Sequence, residues 1–311
     1  MKKRKSQSRS SQLGAKQTNA DASDLDLKSS FEIAHIINAE DAKVAAAVKT
    51  ALPQIGKAID LIADAIAQGG RLIYVGAGTS GRIAALDAAE CPPTFNVAPE
   101  TVQFVMAGGP KALATAVEAN EDSRRLGERE ITKRKLQKHD VVVGIAASGR
   151  TPFTVAALEY ARRRGAKTIA VTCKRNSPLE KAADLAIVAE VGPEVISGST
   201  RMKAGTAQKM ILNMLSSGAM TRLGYVYGNL MVNVHLKNEK LVQRGVNILE
   251  QAAGVSSEHA REALNSAGNH LPIALIMLAA NVNRRAAERA LKQANGHVRR
   301  AIALAASKKH S

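Results

Sequence analysis

Two stretches of this sequence place hydroxyl groups where an apolar run turns into a helical pattern. The first, "LIYVGAGTSGRIAALDAAECPP" (residues 72–93), carries Thr79 and Ser80 within a G-x-G-x-x-G spelled by Gly76, Gly78 and Gly81. The second, "GIAASGRTPFTVAALEYA" (144–161), carries Ser148 and Thr151. Ser80-Gly81-Arg82 and Ser148-Gly149-Arg150 are the same three residues at the same kind of corner. Unpaired backbone N–H groups and the helix dipole favour an anion there, and hydroxyls add directed donors. The glycine spacing also fits a dinucleotide site, but the next apolar run, "VQFVMAGGP", ends without the acid that would take ribose hydroxyls. No Gly-Lys-[Ser/Thr] follows the loop, which excludes a P-loop. One such corner would read as an ordinary cap. Two, with four hydroxyls, predict a compact phosphorylated ligand.

Further groups could act beside them. "GSTRMKAGT" offers Ser199, Thr200, Arg201 and Lys203 ahead of a long helical pattern. Hydroxyls and cations there suit a phosphate or carboxylate, or equally a helix cap with salt bridges. Glu90 in "DAAECPP" and Glu121 in "AVEANED" are acids near the first corner's helix and beyond the second apolar run. Taken alone, each reads as an exposed helix acid. Glu118 lies one turn before Glu121, and spacing does not separate the two. Cys91 has no histidine near it in sequence to activate a thiol. Seven scattered histidines show no metal-ligand spacing.

The elements that must position these groups follow from the apolar pattern. "LIYV" (72–75), "VQFVM" (102–106), "VVVGIA" (141–146) and "TIAVT" (168–172) are short runs without alternation, the mark of parallel strands covered on both faces. "AIVAEV" (186–191) adds a fifth. Helical patterns over 81–90, 110–120, 152–164 and 177–183 separate them. The reading is α/β: a doubly wound, mostly parallel five-stranded sheet, with both corners at its carboxyl edge. Before it, "SSFE" predicts a capped short helix at Ser29, and a further helix runs to Gly69-Gly70 with a break at Pro53. The expected division is a disordered basic arm over 1–28, a sheet domain with its leading helices over 29–249, and a helical module over 250–311.

Composition narrows the function classes. The net charge of +17 comes mostly from the two ends, residues 1–20 and 283–311, which together supply +13. That is the signature of a solvated tail and helix face, so no nucleic-acid partner is expected. Aromatics are 3% and Trp is absent, against a base-stacking platform. The longest apolar run, "LPIALIMLAA", is too short to cross a bilayer, so no membrane partner is expected. The basic N-terminus has no apolar region behind it, and two cysteines make no disulfide framework. The expected location is the cytoplasm.

The longer words are more specific than any spacing. The paired corners resemble the sugar isomerase (SIS) fold. "VGAGTSGRIAALDAAECPPTF", "AVEANED", "GIAASGRTP" and "SGSTRMKAGTAQKMILNMLSSGAM" resemble the N-acetylmuramic acid 6-phosphate etherases, from about residue 29 to the end. The resemblance implies a cofactor-free cytoplasmic lyase, usually a homodimer. It would cleave the D-lactyl ether of a phosphorylated amino sugar by elimination and hydration, giving N-acetylglucosamine 6-phosphate and D-lactate. It carries the family's two catalytic glutamates onto Glu90, as donor to the lactyl oxygen, and Glu121, as base at C2. Thr79, Ser80, Ser148, Gly149, Arg150, Thr151, Ser199 and Lys203 are the expected substrate contacts. A carboxyl that donates near neutral pH needs a raised pKa, which burial of Glu90 beside Pro92 and Pro93 would supply. A straight helix would set Glu90 roughly 15 Å from Ser80. Either that helix ends early or Glu90 serves a partner subunit's site.

Two departures from the family stand out. Its N-terminal Thr-Glu and Arg-Asn-Pro words are missing from "SQLGAKQTNADASDLD", and Asn96 stands where glycine is common. The alternative reading is an SIS protein that senses a phosphosugar without converting it. A transcription regulator would need a helix-turn-helix ahead of the sheet, and a sugar-phosphate isomerase would carry other words than "ECPPTF".

Overall fold

A computed structural model describes residues 19–115, 120–236 and 238–307. Five strands, β1 (Leu72–Gly76), β2 (Val102–Met106), β3 (Val141–Ile145), β4 (Lys167–Thr172) and β5 (Leu185–Val188), form one sheet in the order β2-β1-β3-β4-β5. Every neighbouring pair is parallel. All of β1 and β3 is buried, which is why their sequences run apolar without alternation. The fifth strand is shorter than the expected 186–191. The strand order reverses between β1 and β3, so their carboxyl ends flank the crevice where open α/β sheets bind ligands.

Helices cover both faces. Leu72 and Tyr74 of β1 face a layer made by α1 (Ser30–Lys49), α2 (Leu52–Ala67), α3 (Gly78–Phe95) and α7 (Lys203–Arg222). Ile73 and Val75 face α4 (Arg124–Thr132), α5 (Pro152–Arg163) and α6 (Pro178–Ala182). Ser29 caps α1 through a capping box with Glu32. The short helix expected there is in fact a 20-residue helix, and Pro53 sits at the first turn of α2, where a missing N–H costs nothing. Of the helix expected over 110–120, residues 109–113 form a 3₁₀ turn and 116–119 lie outside the described residues; an unexpected helix, α4, follows, capped by Ser123. A methyl group on Gly127 of α4 would fall 2.1 Å from the Phe153 carbonyl oxygen, so glycine lets α4 lie against α5. Part of the segment read as a disordered arm is structured: 20–22 and 25–27 are 3₁₀ turns, while residues 1–18 lie outside the described residues.

The C-terminal part has its own core. A short hairpin, β6 (Val226–Tyr227) and β7 (Leu230–Met231), leads into α8 (Glu239–Ala253), α9 (Ser257–Ser266), α10 (Leu271–Ala280), α11 (Arg284–Gln293) and α12 (Val298–Ser307). The boundary at 250 falls inside α8, whose Val246 and Leu249 pack with Val232, Leu264 and Leu275. Packing therefore starts this core ahead of Val232. Among the described residues no single helix is long and apolar enough to cross a membrane; α9 and α10 reach that length only as a pair bent by 117°.

Two buried polar ties fix α7 in place. Asp87 of α3 accepts hydrogen bonds from Tyr74 Oη (2.8 Å), Asn213 Nδ2 (2.7 Å) and Ser216 Oγ (3.1 Å), joining β1, α3 and α7. Lys203, the first residue of α7, is buried and ion-paired with Glu40 of α1. Lys203 and then Lys43 hold the Glu40 carboxyl down at about 2, from an ordinary 4.5. A lowered carboxyl pKa contributes stability that is present above the ordinary value and is lost as pH falls toward the lowered one. Urea midpoints should therefore drop from pH 4.5 toward 2, and Glu40→Gln should flatten that drop. Lys203→Met should cost less than the roughly 3–5 kcal/mol of a fully stranded buried carboxylate, because Lys43 still pairs with Glu40, and Glu40→Leu/Lys203→Met should recover much of it.

Candidate active site

The first corner is built by close approach. A methyl group on Gly76 would sit 2.9 Å from the Gly81 nitrogen, and one on Gly81 2.7 Å from Met106 Cγ. The end of β1, the first turn of α3 and the end of β2 are thus in contact. Gly78 has φ +53°, in the left-handed region, and its absent Cβ would lie 3.0 Å from Glu121 Oε1. The carboxylate of Glu121 therefore rests against the mouth of this loop. The main chain of Glu121 is held from the second corner, where Phe153 N donates to its carbonyl at 3.0 Å.

A cleft of about 470 Å³ opens at the carboxyl ends of β1 and β3. Thr79, Ser80, Glu121, Ser148 and Thr151 all line it, together with Gly78, Asp122, Gly198 and Thr200. The helices that start there lack side-chain caps: Ala77 precedes α3 and gives none, and Thr151 gives none to α5. In α3 the first N–H groups have no carbonyl four residues back; in α5 Pro152 has no N–H and that of Phe153 is taken by the Glu121 carbonyl, so that corner offers chiefly its hydroxyls. The start of α3 and four hydroxyls thus face a cleft whose lining has no lysine or arginine. Glu121 and Asp122 supply acid on another part of the wall.

Several expected contacts lie elsewhere. Lys203 is committed to Glu40, and the N–H groups of Lys203 and Ala204 donate to the Glu194 carboxylate at 3.0 Å each. The start of α7 is thus capped by an internal anion and cannot hold the substrate's. Gly149 is buried, and its N–H goes to the Ala146 carbonyl at 3.0 Å. Arg150 is exposed and outside the cleft lining, as is the half-buried Ser199. Arg82 donates to the carbonyls of Leu113 and Thr115, both at 3.1 Å, so it braces the turn after β2. Neither echoed arginine lines the cleft, whereas both echoed serines do. Glu118 lies outside the described residues.

Glu90 is not in the cleft. Helix α3 runs unbroken through it to Phe95, with Pro92 and Pro93 inside the helix, so the early end is excluded. Ten residues at 1.5 Å each set it about 15 Å along the axis from Ser80. Glu90 is exposed, and the burial expected for it is not supplied by its own chain. It shares its face of α3 with exposed Leu86, Ala89 and Pro93. Cys91 points inward instead, and burial pushes its thiol up to about 12, which leaves it un-ionised and inert. Asn96 ends α3 in the left-handed conformation, a position glycine or asparagine fills at least cost. Sequence reading missed Gln208, whose carboxamide oxygen accepts from Ser80 Oγ at 2.9 Å. It stands one helical pitch and more beyond the "GSTRMK" word, with no local signal of a partner in α3.

Known proteins share this fold and much of this sequence. The family model described as "Glucokinase regulatory protein N-terminal SIS domain" matches residues 54–162, and that described as "SIS domain" matches 128–217. The chain is 49% identical over 292 residues to N-acetylmuramic acid 6-phosphate etherase 2 of Vibrio parahaemolyticus, covering 94% of this chain and 97% of that one. It is 48% identical over 274 residues to N-acetylmuramic acid 6-phosphate etherase 1 of Bacillus licheniformis, covering 88% and 90%. The solved phosphoheptose isomerase from Francisella tularensis, 18% identical, superposes with a TM-score of 0.50 over 62% of this chain and all of its own, which shows a common fold.

The Gly78 geometry is testable. Gly78→Ala should cost about 1–2 kcal/mol in urea unfolding, because the left-handed backbone is strained for any residue with a Cβ. A crystal structure of that variant should show the Glu121 carboxylate displaced from its place over the loop.

Proposed function

This chain belongs to the N-acetylmuramic acid 6-phosphate etherases, carbon–oxygen lyases, and from that membership we propose how its cleft carries out the reaction. The phosphate sits at the uncapped start of α3, held by the hydroxyls of Thr79, Ser80, Ser148 and Thr151. The opened sugar then extends toward Glu121. Its aldehyde acidifies the C2 proton, which the Glu121 carboxylate removes. The electron pair of that C–H bond forms the C2–C3 double bond as the C3–O bond to the lactyl group breaks. An acid delivers a proton to the departing oxygen. Water then adds, oxygen to C3 and hydrogen to C2, leaving N-acetylglucosamine 6-phosphate and D-lactate.

The acid is the partner subunit's Glu90. The observation that supports this is the unbroken α3, which keeps a chain's own Glu90 away from its own cleft. The exposed apolar neighbours Leu86, Ala89 and Pro93 favour a second copy covering that face. Such cover would also provide the desolvation that a proton-donating carboxyl needs. A homodimer is thus part of the proposal, and so is a cytoplasmic role in recycling cell-wall sugar. Both cysteines are free, as that compartment requires.

Isotopes test the route. Product formed in heavy water should carry deuterium at C2, and labelled water should place its oxygen on sugar C3. Label in lactate would mean hydrolysis at the lactyl carbon instead. Glu90→Gln should collapse ether cleavage while C2 exchange survives, and Glu121→Gln should lose both, each by about 10²–10⁴-fold. Exchange that survives Glu121→Gln and fails in Glu118→Gln would move the base to Glu118.

A further inference from the structure

The cleft lining holds two acids, Glu121 and Asp122, and no lysine or arginine. A phosphate monoester carries about −1.5 to −2 charges at neutral pH, and hydroxyls orient such a group without neutralising it. Lys203, the cation at the start of α7, is spent on Glu40. Arg201 is not spent. It is exposed, and its guanidinium has no hydrogen-bond or ion-pair partner among the described residues. It follows Thr200, which lines the cleft. Thr200 lies close to the first corner: a methyl group on Gly205 would sit 3.4 Å from Thr79 Cγ2 and 3.7 Å from the Thr200 carbonyl oxygen. The loop that carries Thr200 and Arg201 is anchored at its ends. Val195 is buried on one side, and on the other the Glu194 carboxylate takes the N–H groups of Lys203 and Ala204. Between these anchors the backbone bonds close on the loop itself, Ser199 N–H to Ile196, Thr200 N–H to Gly198 and Met202 N–H to Ser199. Gly198 adds a left-handed turn at φ +86°, and Ile196 stands exposed beside it. Such a segment shifts at little cost, because no bond to another element is broken. Arg150 is also exposed, but its corner is pinned: Leu179 N–H bonds the Gly149 carbonyl and Phe153 N–H that of Glu121.

We propose that Arg201 is a substrate-binding residue that supplies the positive charge for the sugar phosphate, carried into the cleft by a shift of loop 196–201 as the phosphosugar enters. The inference rests on the phosphosugar reading of the cleft and adds a residue and a motion to it. The hydroxyls fix where the phosphate sits, and the guanidinium neutralises it through a forked pair of hydrogen bonds. The place of Thr200 beside Thr79 assigns Arg201 to the phosphate end of the substrate. A movable cation has an advantage over a fixed one here. A guanidinium lining the empty cleft would pair with Glu121 or Asp122, and a paired carboxylate is a weaker base. On the loop, Arg201 comes in with the phosphate, which is the stronger attraction.

Calorimetric titration with two sugars tests this: N-acetylglucosamine 6-phosphate, which has no lactyl group, and unphosphorylated N-acetylmuramate, which keeps it. Arg201→Gln should weaken the first roughly ten- to a hundredfold, the loss expected for a hydrogen bond to a charged group, and leave the second unchanged. Arg201→Lys should recover part of that loss, because the charge returns without the fork. Added salt should weaken native binding of the 6-phosphate sugar more steeply than binding by Arg201→Gln. The ligand-free melting temperature of Arg201→Gln should match the native value, since its side chain has no partner to lose. Trypsin should cut the native chain after Arg201 more slowly with the 6-phosphate sugar bound, and at an unaltered rate with N-acetylmuramate. An unchanged 6-phosphate affinity, an equal loss for both sugars, a loss confined to N-acetylmuramate, a lowered melting temperature, or cutting that the 6-phosphate sugar does not slow would each overturn the proposal. So would a loss of phosphate affinity in Arg150→Gln and not in Arg201→Gln. A native protein that binds both sugars equally would instead remove the phosphosugar reading, and the role of Arg201 with it.

Discussion

The close contact of β1, α3 and β2 at one corner constrains everything around it. Gly76, Gly78 and Gly81 do three different jobs there. The first lets the strand end meet the helix start, the third lets that helix start meet Met106, and the middle one leaves room for the Glu121 carboxylate. The same spacing in a dinucleotide fold admits a pyrophosphate. Here the space over the loop is filled by an acid, and the anion-binding groups are displaced onto the hydroxyls beside it. One corner therefore places both the hydroxyls and the Glu121 carboxylate on the cleft wall.

Electrostatics decides which helix starts are available. Three helices, α3, α5 and α7, begin near the crevice, and each carries partial positive charge at that end. Glu194 satisfies α7 from within, and the Glu40–Lys203 pair fixes its first residue. With α7 neutralised and the Phe153 N–H of α5 given to Glu121, the start of α3 remains, beside the hydroxyls of both corners. The closed end of α7 still contributes, because its rigid seat carries Gln208 up behind Ser80. A buried ion pair gives little net stability by itself, but it tolerates few alternative registers, which suits an element that must present one amide to one hydroxyl.

The sheet, both corners and the hydroxyls were legible because each announces itself locally: unalternating apolar runs, a repeated Ser-Gly-Arg, a capping box at Ser29. What was not legible depends on distant partners. Helix α4 buries only Gly127 and Ile131 and carries five charged residues in nine, so its sequence reads as loop; it exists because α5 accepts it. Lys203 looks like a phosphate ligand until Glu40, from the other end of the domain, claims it. Gln208 carries no mark of its bond to Ser80. The boundary near 250 followed a change in helical pattern, whereas packing ties α8 to Val232 and Val234. Asn96, which looked like a departure, is explained by one left-handed residue at the end of α3.

Glu90 is the residue on which the account turns. Its identity is marked by the word "ECPPTF", yet in a single chain it faces outward beside Leu86. In the proposed reaction one chain holds the phosphate and one carboxylate, and a second chain brings the other. The direct measurement is activity of a purified heterodimer made from Glu90→Gln and Glu121→Gln chains carrying different tags. Each parent should be inactive as a homodimer. In the mixed dimer one cleft combines an intact Glu121 with the partner's intact Glu90, while the other cleft lacks both. The account predicts D-lactate release at about half the native rate, as expected when one of two equivalent sites is whole. A heterodimer no more active than its parents would contradict it, and would place both carboxylates of each site in one chain.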